Sequence, residues 1–458
     1  MPILPIDSGR YGSKEMKGIF EECKKLDYEL KFEAAVAEAQ AKVNLIPKEA
    51  SEEITKIIAS DKISLDRIKD LERVSDHDTA AIVEAISELC SNNTKPWIHY
   101  GLTSNDVVDT STSMQMYDAF KIIESKIQQL IKELLIKAKE NENLPTVGRT
   151  HGQHASIMAF GLKFAIWSNE MLDHLTRIEE GKKRFLLCKT LGVVGTGSLM
   201  REQALEVQKI VSEKLDLFPI EAATQIIPRE RYAEMIFIIG LIGSTLDKIA
   251  IEIRNLQRTE IGEVQEPFKK GQMGSSAVPV KKNPIKSERI SSFAKMLKSN
   301  TYTALENISL WHERDLSNSA NERFIIPISA ILLDDMIATM IKVISGLIIN
   351  KERILENIEI TKGQIFAEFV LQILISKGIP RFEAYRNIQR IAFKATETKD
   401  HFFKILAEDE TINKNITVEE LKSVFNPQNQ LSASNQIIDN VIEKAEKMKI
   451  SDYKHIRK

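Results

Sequence analysis

The sequence has few cysteines, almost no net charge and no long apolar run, and each absence excludes a class of protein. Its 458 residues include only three cysteines, Cys23, Cys90 and Cys188, with no CxxC pair and no His/Cys cluster at zinc spacing. This usage indicates a reducing compartment and no structural metal. We expect the protein to need neither a metal nor a cofactor.

The charges nearly cancel, since 63 basic and 65 acidic residues give a formal net charge of −2. A dedicated nucleic-acid binder normally carries a positive balance, so that class is disfavoured. The N-terminus lacks the pattern of a secretion signal. The most apolar stretches, Met235–Ile242 and Phe324–Leu333, fall short of the ~20 residues of a membrane helix, and Pro327 interrupts the second. We expect a soluble, cytoplasmic protein without membrane or nucleic-acid partners.

Helical periodicity dominates the sequence and predicts an all-α fold. In Ile123–Ala138 apolar residues recur every three or four positions, which gives one buried stripe, and the following ENENLP predicts the end of that helix. Met235–Arg254 is apolar almost all round in its first half, as in a helix at the centre of a bundle. Strand-like alternation is scarce, with short candidates near Leu191–Gly197 and Thr224–Ile227.

The pattern divides the chain into three predicted parts. Residues 1–110 form a smaller helical domain, residues 111–355 a central long-helix bundle, and residues 356–458 a charged, amphipathic helical cap. Helices as long and apolar as Met235–Arg254 often pack against copies of themselves, so we expect a homo-oligomer.

Three polar clusters interrupt this pattern: HYGLTSNDVVDT (His99–Thr110), GRTHGQHA (Gly148–Ala155) and GQMGSSAVPVKKNP (Gly271–Pro284). Each comes near a predicted helix end, where free N–H groups and the helix dipole favour anions. The first could be a plain N-cap, and a histidine in the second could be structural. The third lacks the spacing and the preceding strand of a Walker-type phosphate loop. Because five of six residues in Arg149–His154 are polar, we favour a functional site.

The three clusters carry a resemblance to a known superfamily. GSSAVPVKKN resembles the fumarase/aspartase signature Gly-Ser-Ser-x-Met-x-x-Lys-x-Asn, and the other two clusters resemble that superfamily's remaining active-site regions, in the same order. Four further stretches resemble the adenylosuccinate lyase family within it. They are RYGSKEM (Arg10–Met16), SDHD (Ser75–Asp78), EIRNLQRTEIGEVQEPF (Glu252–Phe268) and WHERDLSNSANER (Trp311–Arg323).

The resemblance implies a three-domain, all-α fumarase/aspartase-like fold whose central bundle tetramerises, with each site shared between subunits. It implies a carbon–nitrogen lyase of purine nucleotide biosynthesis that releases fumarate by β-elimination. The substrates would be adenylosuccinate, which gives AMP, and the succinylcarboxamide ribotide SAICAR, which gives AICAR.

The resemblance also assigns roles to residues of the three clusters. Ser275 would be the base, used as an alkoxide, and His151 the general acid, since histidine titrates near neutral pH. Lys281 and Asn283 would hold the carboxylate on which charge grows. His77 would support catalysis, and whether it or His151 carries the proton stays open.

The expected substrate-binding residues include the phosphate ligands Arg10, Tyr11, Arg314, Ser319 and Arg323. Thr103 and Ser104 would contact the succinyl carboxylate, and Gln225 would contact the substrate near its base ring. The complete expected set is Arg10, Tyr11, Asp76, His77, Asp78, Thr103, Ser104, Thr150, Gln225, Ser276, Lys281, Asn283, Arg314, Ser319 and Arg323.

The sequence departs from the family pattern at a few positions, among them Asp76, Val278, Val280 and Asn318. None of these departures removes a group that is expected to do chemistry. Two other readings stay open: a sister lyase acting on argininosuccinate, aspartate, malate or carboxymuconate, and a catalytically inactive helical scaffold. The Arg10-Tyr11 pair disfavours the first, and the intact Ser275 and His151 disfavour the second.

Overall fold

A computed structural model describes residues 4–269 and 271–450 of the chain. These residues form two compact units, each assembled from three separate stretches. Unit 1 comprises Met1–Lys126, His174–Leu246 and Ser292–Ala338, and unit 2 comprises Ile127–Asp173, Asp247–Ser291 and Thr339–Lys458. The chain is mostly helical, which confirms the predicted fold class.

The first part of the chain is helical. Its helices are α1 (Lys14–Ile19), α2 (Glu22–Lys42), α3 (Lys48–Ile58), α4 (Leu65–Ser75), α5 (Asp78–Leu89) and α6 (Ser104–Glu140). Helices α2 to α5 pack around a core that includes Leu26, Ile54, Ile68, Ile82 and Ile86. Burial of these side chains, at about 25 cal/mol per Å² of apolar surface, stabilises this packing.

The middle of the chain contains the longest helices. They are α7 (Gly161–Phe185), α8 (Ala204–Lys214), α9 (Arg229–Leu256), α10 (Ile285–Glu306) and α11 (Ser319–Ser345). The strands of the described residues are β1 (Pro145–Thr150), β2 (Gln153–Ala159), β3 (Leu187–Cys188), β4 (Phe218–Pro219), β5 (Val264–Gln265) and β6 (Ile348–Ile349). β1 and β2 form an antiparallel hairpin, β3 and β4 pair in parallel, and β5 and β6 pair antiparallel.

The last part of the chain is a set of shorter helices. They are α12 (Lys351–Glu359), α13 (Ala367–Ser376), α14 (Arg381–Thr398), α15 (Phe402–Glu408), α16 (Glu410–Asn413), α17 (Val418–Val424) and α18 (Ser432–Lys447). Short 3-10 turns occur at Lys95–Trp97, Arg201–Gln203, Gln364–Phe366 and Pro427–Gln430. In unit 2 the ring of Phe425 lies 4.9 Å from that of Phe366 and 5.2 Å from that of Phe403, centroid to centroid.

The helical predictions are confirmed where the periodicity is strong. The stripe of Ile123, Ile127, Leu130, Leu134 and Ala138 is fully buried in α6, and α6 ends at Glu140 as ENENLP predicts. Helix α9 contains the whole of the predicted Met235–Arg254. These helices hold their buried faces because the apolar spacing matches the helical repeat.

The predicted domain boundaries fall inside helices. The break between residues 110 and 111 lies in the second turn of α6, and the break between residues 355 and 356 lies within α12. The division into three domains remains a prediction, as does tetramer formation by the bundle.

Both predicted strands are wrong. Gly192, Gly195 and Gly197 have φ angles of +74°, +76° and +63°, which make Leu191–Gly197 a loop, and Thr224–Ile227 is an irregular segment before α9. The β1–β2 hairpin was not predicted, since a bulge between Gly148 and Arg149 interrupts the alternation of its first strand.

Pro327 does not interrupt its apolar stretch, because α11 continues through it. A proline inside a helix costs about 3 kcal/mol, and we ascribe its tolerance to the packing of neighbours such as Ile326 and Ala330, which are buried. By length and composition α11 could cross a membrane, but 72% of its most apolar window is buried inside the structure, as in a core helix.

We expect Gly161→Ala to destabilise the fold. A Cβ at Gly161, the first residue of α7, would lie 2.2 Å from the carbonyl oxygen of Ala138, and a backbone atom cannot move away as a side chain can. We expect a loss of about 1–3 kcal/mol in the free energy of unfolding. Thermal melting measures it against the control Gly18→Ala, where a Cβ meets nothing within 4 Å. Equal melting temperatures for the two variants would contradict the expectation.

Candidate active site

The predicted phosphate ligands Arg10 and Tyr11 lie next to each other in unit 1. The Nε of Arg10 donates to the Tyr11 hydroxyl at 3.1 Å, and the guanidinium lies 5.7 Å from the centroid of the tyrosine ring. The backbone N–H of Gly12 donates to Asp335 on α11 at 3.2 Å. Gly12 has a φ of +79°, and a Cβ there would lie 2.4 Å from Ile331, so glycine permits this close approach.

His77 lies between α4 and α5 and caps the second of these helices. Asp76 ends α4 in the left-handed region with φ of +52°. The Nδ1 atom of His77 accepts a hydrogen bond from the backbone N–H of Ala80 at 3.2 Å. In a neutral ring Nδ1 then carries no hydrogen and Nε2 carries it. The cap therefore leaves Nε2 of His77 as a hydrogen-bond donor.

Asp78 connects this turn to Arg323. Its Oδ2 accepts from Nη2 of Arg323 at 3.1 Å, and its Oδ1 accepts from the backbone N–H of Thr79 at 2.8 Å. Burial opposes ionisation of Asp78, but the Thr79 amide and the positive charges of Lys25 and Arg323 lower the pKa of this carboxyl below its usual value. The structure thus brings together two predicted binding residues that are far apart in sequence.

Thr103 precedes α6 and Ser104 begins it, as the predicted helix start requires. The carboxylate of Asp106 accepts from the backbone N–H of Thr103 at 2.8 Å and fixes this first turn. A cavity of about 490 Å³ adjoins it, and its lining includes His77, His99, Thr103 and Ser104. The stretch SDHD and the cluster HYGLTSNDVVDT therefore line one cavity of unit 1.

His99 is held by a buried acid. Its Nδ1 lies 2.6 Å from Oε1 of Glu33, whose side chain is almost wholly buried. Burial alone would lower the pKa of His99, but the charge and hydrogen bond of Glu33 outweigh burial and raise it. The interaction with Glu33 fixes the orientation of the His99 ring.

Arg314 and Gln225 are also neighbours in unit 1. Nη1 of Arg314 donates to Oε1 of Gln225 at 2.9 Å, and the backbone N–H of Gln225 donates to the carbonyl of Glu313 at 3.4 Å. Burial lowers the pKa of the Arg314 guanidinium in spite of nearby carboxylates. One predicted phosphate ligand, Arg314, is thus in direct contact with Gln225.

A buried ion network lies behind these residues. Arg229 donates to both oxygens of Asp109, each at 2.9 Å, and to both oxygens of Glu322, at 2.8 and 3.1 Å. Glu322 belongs to the first turn of α11, which begins at Ser319 and also carries Arg323. The network therefore fixes the start of the helix that bears two predicted phosphate ligands.

In unit 2 the GRTHGQHA cluster is a hairpin turn and not the helix end that the sequence predicts. Thr150 pairs with Gln153, and His151 and Gly152 between them have φ angles of +54° and +74°. Two successive left-handed residues suit the two-residue turns that match strand twist. Thr150 and His151 are both exposed at the tip.

The base of this hairpin is held by Glu263. Arg149 donates to the two oxygens of Glu263 at 2.5 and 3.2 Å, and the Asn357 amide donates to it at 2.8 Å. His154 pairs with Arg149 across the strands, and burial together with that positive charge lowers its pKa. Its buried Nδ1 has no hydrogen-bond partner among the residues that the structure describes.

In the third cluster the hydroxyl of Ser275 accepts two backbone hydrogen bonds. They come from the N–H of Ala277 at 3.3 Å and of Val278 at 3.2 Å. Both donors point at the same oxygen, and such a pair of amides favours negative charge there. The valine in place of the usual methionine at position 278 leaves this contact intact, since only its backbone is used.

The rest of the loop closes back on itself. The side-chain amide of Asn283 donates to the carbonyl of Gly274 at 2.9 Å. A Cβ at Gly274 would lie 2.0 Å from the carbonyl oxygen of Lys281, so this crossing requires glycine. Ser276 and the side chain of Lys281 are exposed. Ser275, Lys281 and Asn283 thus belong to one loop that the Asn283–Gly274 hydrogen bond closes.

Comparison with known proteins extends these observations to almost the full chain. A family described as "Lyase" matches residues 9–296, and one described as "Adenylosuccinate lyase C-terminus" matches residues 363–441. The adenylosuccinate lyase of Methanocaldococcus jannaschii is 44% identical over 96% of this chain and 96% of its own. The chain belongs to the adenylosuccinate lyase family.

Other relatives agree with this membership. The adenylosuccinate lyase of Pyrococcus horikoshii is 41% identical over 98% of this chain and 99% of its own. Among solved structures, a fumarate lyase from Mesorhizobium sp. BNC1 superposes with a TM-score of 0.87 at 26% identity, covering 96% of this chain and 100% of its own.

Sequence patterns did not identify the buried charges that hold the segments with predicted site residues. Asp106, Asp109 and Glu263 are each almost wholly buried and hold a segment with predicted site residues. One signal was present, because Asp106 and Asp109 stand three residues apart beside the apolar Val107 and Val108. Their cationic partners come from distant parts of the chain, and no local pattern identifies them.

We expect the stability contributed by the His99–Glu33 pair to depend on pH. Since the pKa of His99 is raised on folding, this stabilisation is complete below the unfolded pKa of about 6.5 and is lost as pH rises through the folded value. Glu33→Gln should therefore lower the melting temperature more at pH 6 than at pH 9.

Melting curves at the two pH values measure this difference. Glu359→Gln is the control, because it removes the carboxylate 3.2 Å from the exposed His401, where solvent screens the charge. An equal effect of Glu33→Gln at both pH values would rule out the charged pair.

Proposed function

We propose that this chain is an adenylosuccinate lyase, which splits adenylosuccinate into fumarate and AMP. In this reaction a base removes a proton from the carbon beside a carboxylate, the C–N bond breaks, and an acid protonates the departing nitrogen. Membership of the family supports this function, as do the relatives that are named adenylosuccinate lyases and match nearly the full chain. The observation that carries the mechanism is the pair of amides directed at the hydroxyl of Ser275.

Ser275 acts as the base in this proposal. A serine hydroxyl is a poor base in water, so it must react as an alkoxide. The amides of Ala277 and Val278 stabilise negative charge on that oxygen, and they are already oriented before reaction. Closure of the loop over substrate would exclude water and strengthen both contacts.

Histidine supplies the proton in the same scheme. His151 is exposed at the tip of the hairpin, where it can reach a bound ligand, and it is the proposed general acid. His77 presents Nε2 as a donor because its Nδ1 caps α5. This arrangement supports substrate binding by His77 and leaves proton transfer to His151.

Charged groups bind the two ends of the substrate. Lys281 and Asn283 receive the carboxylate on which charge develops, and Thr103 with Ser104 holds the succinyl group. The proposed phosphate site consists of Arg10, Tyr11, Arg314, Ser319 and Arg323. Gln225 contacts the substrate near its base ring. The remaining proposed binding residues are Asp76, Asp78, Thr150 and Ser276. The planar fork of arginine suits two phosphate oxygens.

The proposal extends to assembly and cellular role. We infer a cytoplasmic homotetramer in which the three sequence clusters of each site come from different chains. The enzyme also cleaves SAICAR to AICAR in purine nucleotide biosynthesis, by the same elimination. It uses side chains and backbone amides alone for this chemistry.

We expect the purified chain to release fumarate from adenylosuccinate. The appearance of fumarate is monitored by NMR. Ser275→Ala and His151→Ala should each lower kcat by at least about 100-fold, because each removes a proton-transfer group. Ser60→Ala, an exposed serine in another loop, is the control for loss of a hydroxyl. A rate near that of the parent for either variant would refute its assigned role, and absence of fumarate from the parent would refute the function.

Mixing the two inactive variants tests whether sites are shared between chains. If His151 and Ser275 of one site belong to different chains, random reassembly of Ser275→Ala with His151→Ala restores about a quarter of the sites. Activity is measured after the mixture is dissociated and reassembled, with each variant treated alone as the control. No recovery in verified mixed tetramers would show that both residues of a site come from one chain.

A further inference from the structure

Lys189 and Asp106 form a fully buried ion pair that no predicted role includes. The Nζ of Lys189 lies 2.5 Å from Oδ1 of Asp106, and both side chains are 0% exposed. Three more hydrogen bonds join the pair to backbone. Asp106 accepts from the N–H of Thr103 at 2.8 Å and of Gly192 at 3.0 Å, and Lys189 donates to the carbonyl of Gly192 at 3.2 Å. The pair thus ties two loops of unit 1 together.

The second of these loops continues to another predicted binding residue. Gly192 and Gly195 both have left-handed backbone, and a Cβ at Gly195 would lie 2.1 Å from the carbonyl oxygen of Ala223 and 2.5 Å from that of Thr224. The loop therefore packs directly on the residues before Gln225. The ion pair therefore links the start of α6, next to Thr103, to the glycine loop that packs on the segment with Gln225.

Stability alone gives a poor account of this pair. Taking two charges out of water carries a large desolvation penalty for each ion, and apolar side chains of similar volume are often as stable in such places. Burial raises the pKa of the Asp106 carboxyl in spite of Lys189 and the two amides, so desolvation is not fully offset. What apolar side chains cannot supply is the set of hydrogen bonds to Thr103 and Gly192.

We propose that Lys189 is a positioning residue for the cleavage of adenylosuccinate. It acts through Asp106 and Gly192 to set Thr103, Ser104 and the Gln225 segment against the substrate. The inference rests on the proposed function, because it assumes that these residues bind the succinyl group and the base region.

Two double variants separate packing from positioning. Asp106→Leu with Lys189→Met keeps the branching and approximate length of the two side chains but removes every hydrogen bond that they make. Asp106→Asn with Lys189→Gln also removes both charges but keeps an acceptor and a donor. We expect the apolar double variant to melt within a few degrees of the parent while its kcat/KM for adenylosuccinate falls about 100-fold. The amide double variant should stay within about 10-fold of the parent.

The loss should lie mainly in KM. Thr103 and Ser104 bind the succinyl carboxylate in both ground and transition states, so displacing them weakens both. A merely structural defect lowers the amount of active enzyme, and therefore kcat, with KM unchanged. Glu124→Leu with Lys182→Met is the matched control, since that pair, 2.8 Å apart in the same unit, lies outside the proposed site and should leave KM unchanged.

Hydrogen exchange gives a readout that does not depend on activity. We expect the amides of Thr103 and Gly192 to exchange faster in the apolar double variant than in the parent, whether or not the variant is active. If the parent releases no fumarate, the proposed function is refuted. Unchanged exchange at both amides would instead refute the positioning of Thr103 and Gly192 by Lys189. A KM within two-fold of the parent in the apolar variant would also overturn the proposal.

Should the apolar variant fail to fold, the isosteric Asp106→Asn decides the question. It keeps the one acceptor oxygen that both backbone N–H groups share, and it abolishes the ion pair because the amide is neutral. We expect its KM to rise about 10-fold. A KM equal to that of the parent, with exchange unchanged at Thr103 and Gly192, would overturn the proposal.

Discussion

A buried carboxylate must find partners, and within each unit this requirement fixes the segments that carry the candidate residues. Asp106, Asp109 and Glu263 are each almost wholly buried, and each accepts hydrogen bonds from a cation and from neutral backbone or amide groups. An unpaired charge at any of these places would carry a large desolvation penalty. Because the partners come from different segments, satisfying each carboxylate fixes the relative position of those segments.

Long helices provide the scaffold, but the candidate residues lie where helices end or the chain turns. His77 caps α5, Thr103 precedes α6, Ser319 begins α11 and His151 occupies a hairpin tip. At such places backbone N–H groups have no partner within the helix, and side chains can reach a ligand. Ser275 shows the same principle in a loop, since two amides there meet one hydroxyl oxygen.

The sequence predicted well whatever depends on local pattern. The stripe from Ile123 to Ala138 is buried because its spacing matches one helical face, and ENENLP ends the helix as expected. It failed at Leu191–Gly197, where three left-handed glycines override apparent β character, and at the bulged β1–β2 hairpin. It failed also at Pro327, where tertiary packing outweighs the local cost of proline in a helix.

By itself the sequence determined the helical class, the family resemblance and the chemical groups on offer, because these depend on residue type and near-neighbour spacing. Only the tertiary structure decided which of those groups meet. Arg323 pairs with Asp78, Arg314 with Gln225, and Lys189 with Asp106, although each pair is separated by dozens to hundreds of residues. Charge pairing acts through space, and the distance in space follows from packing of the whole chain.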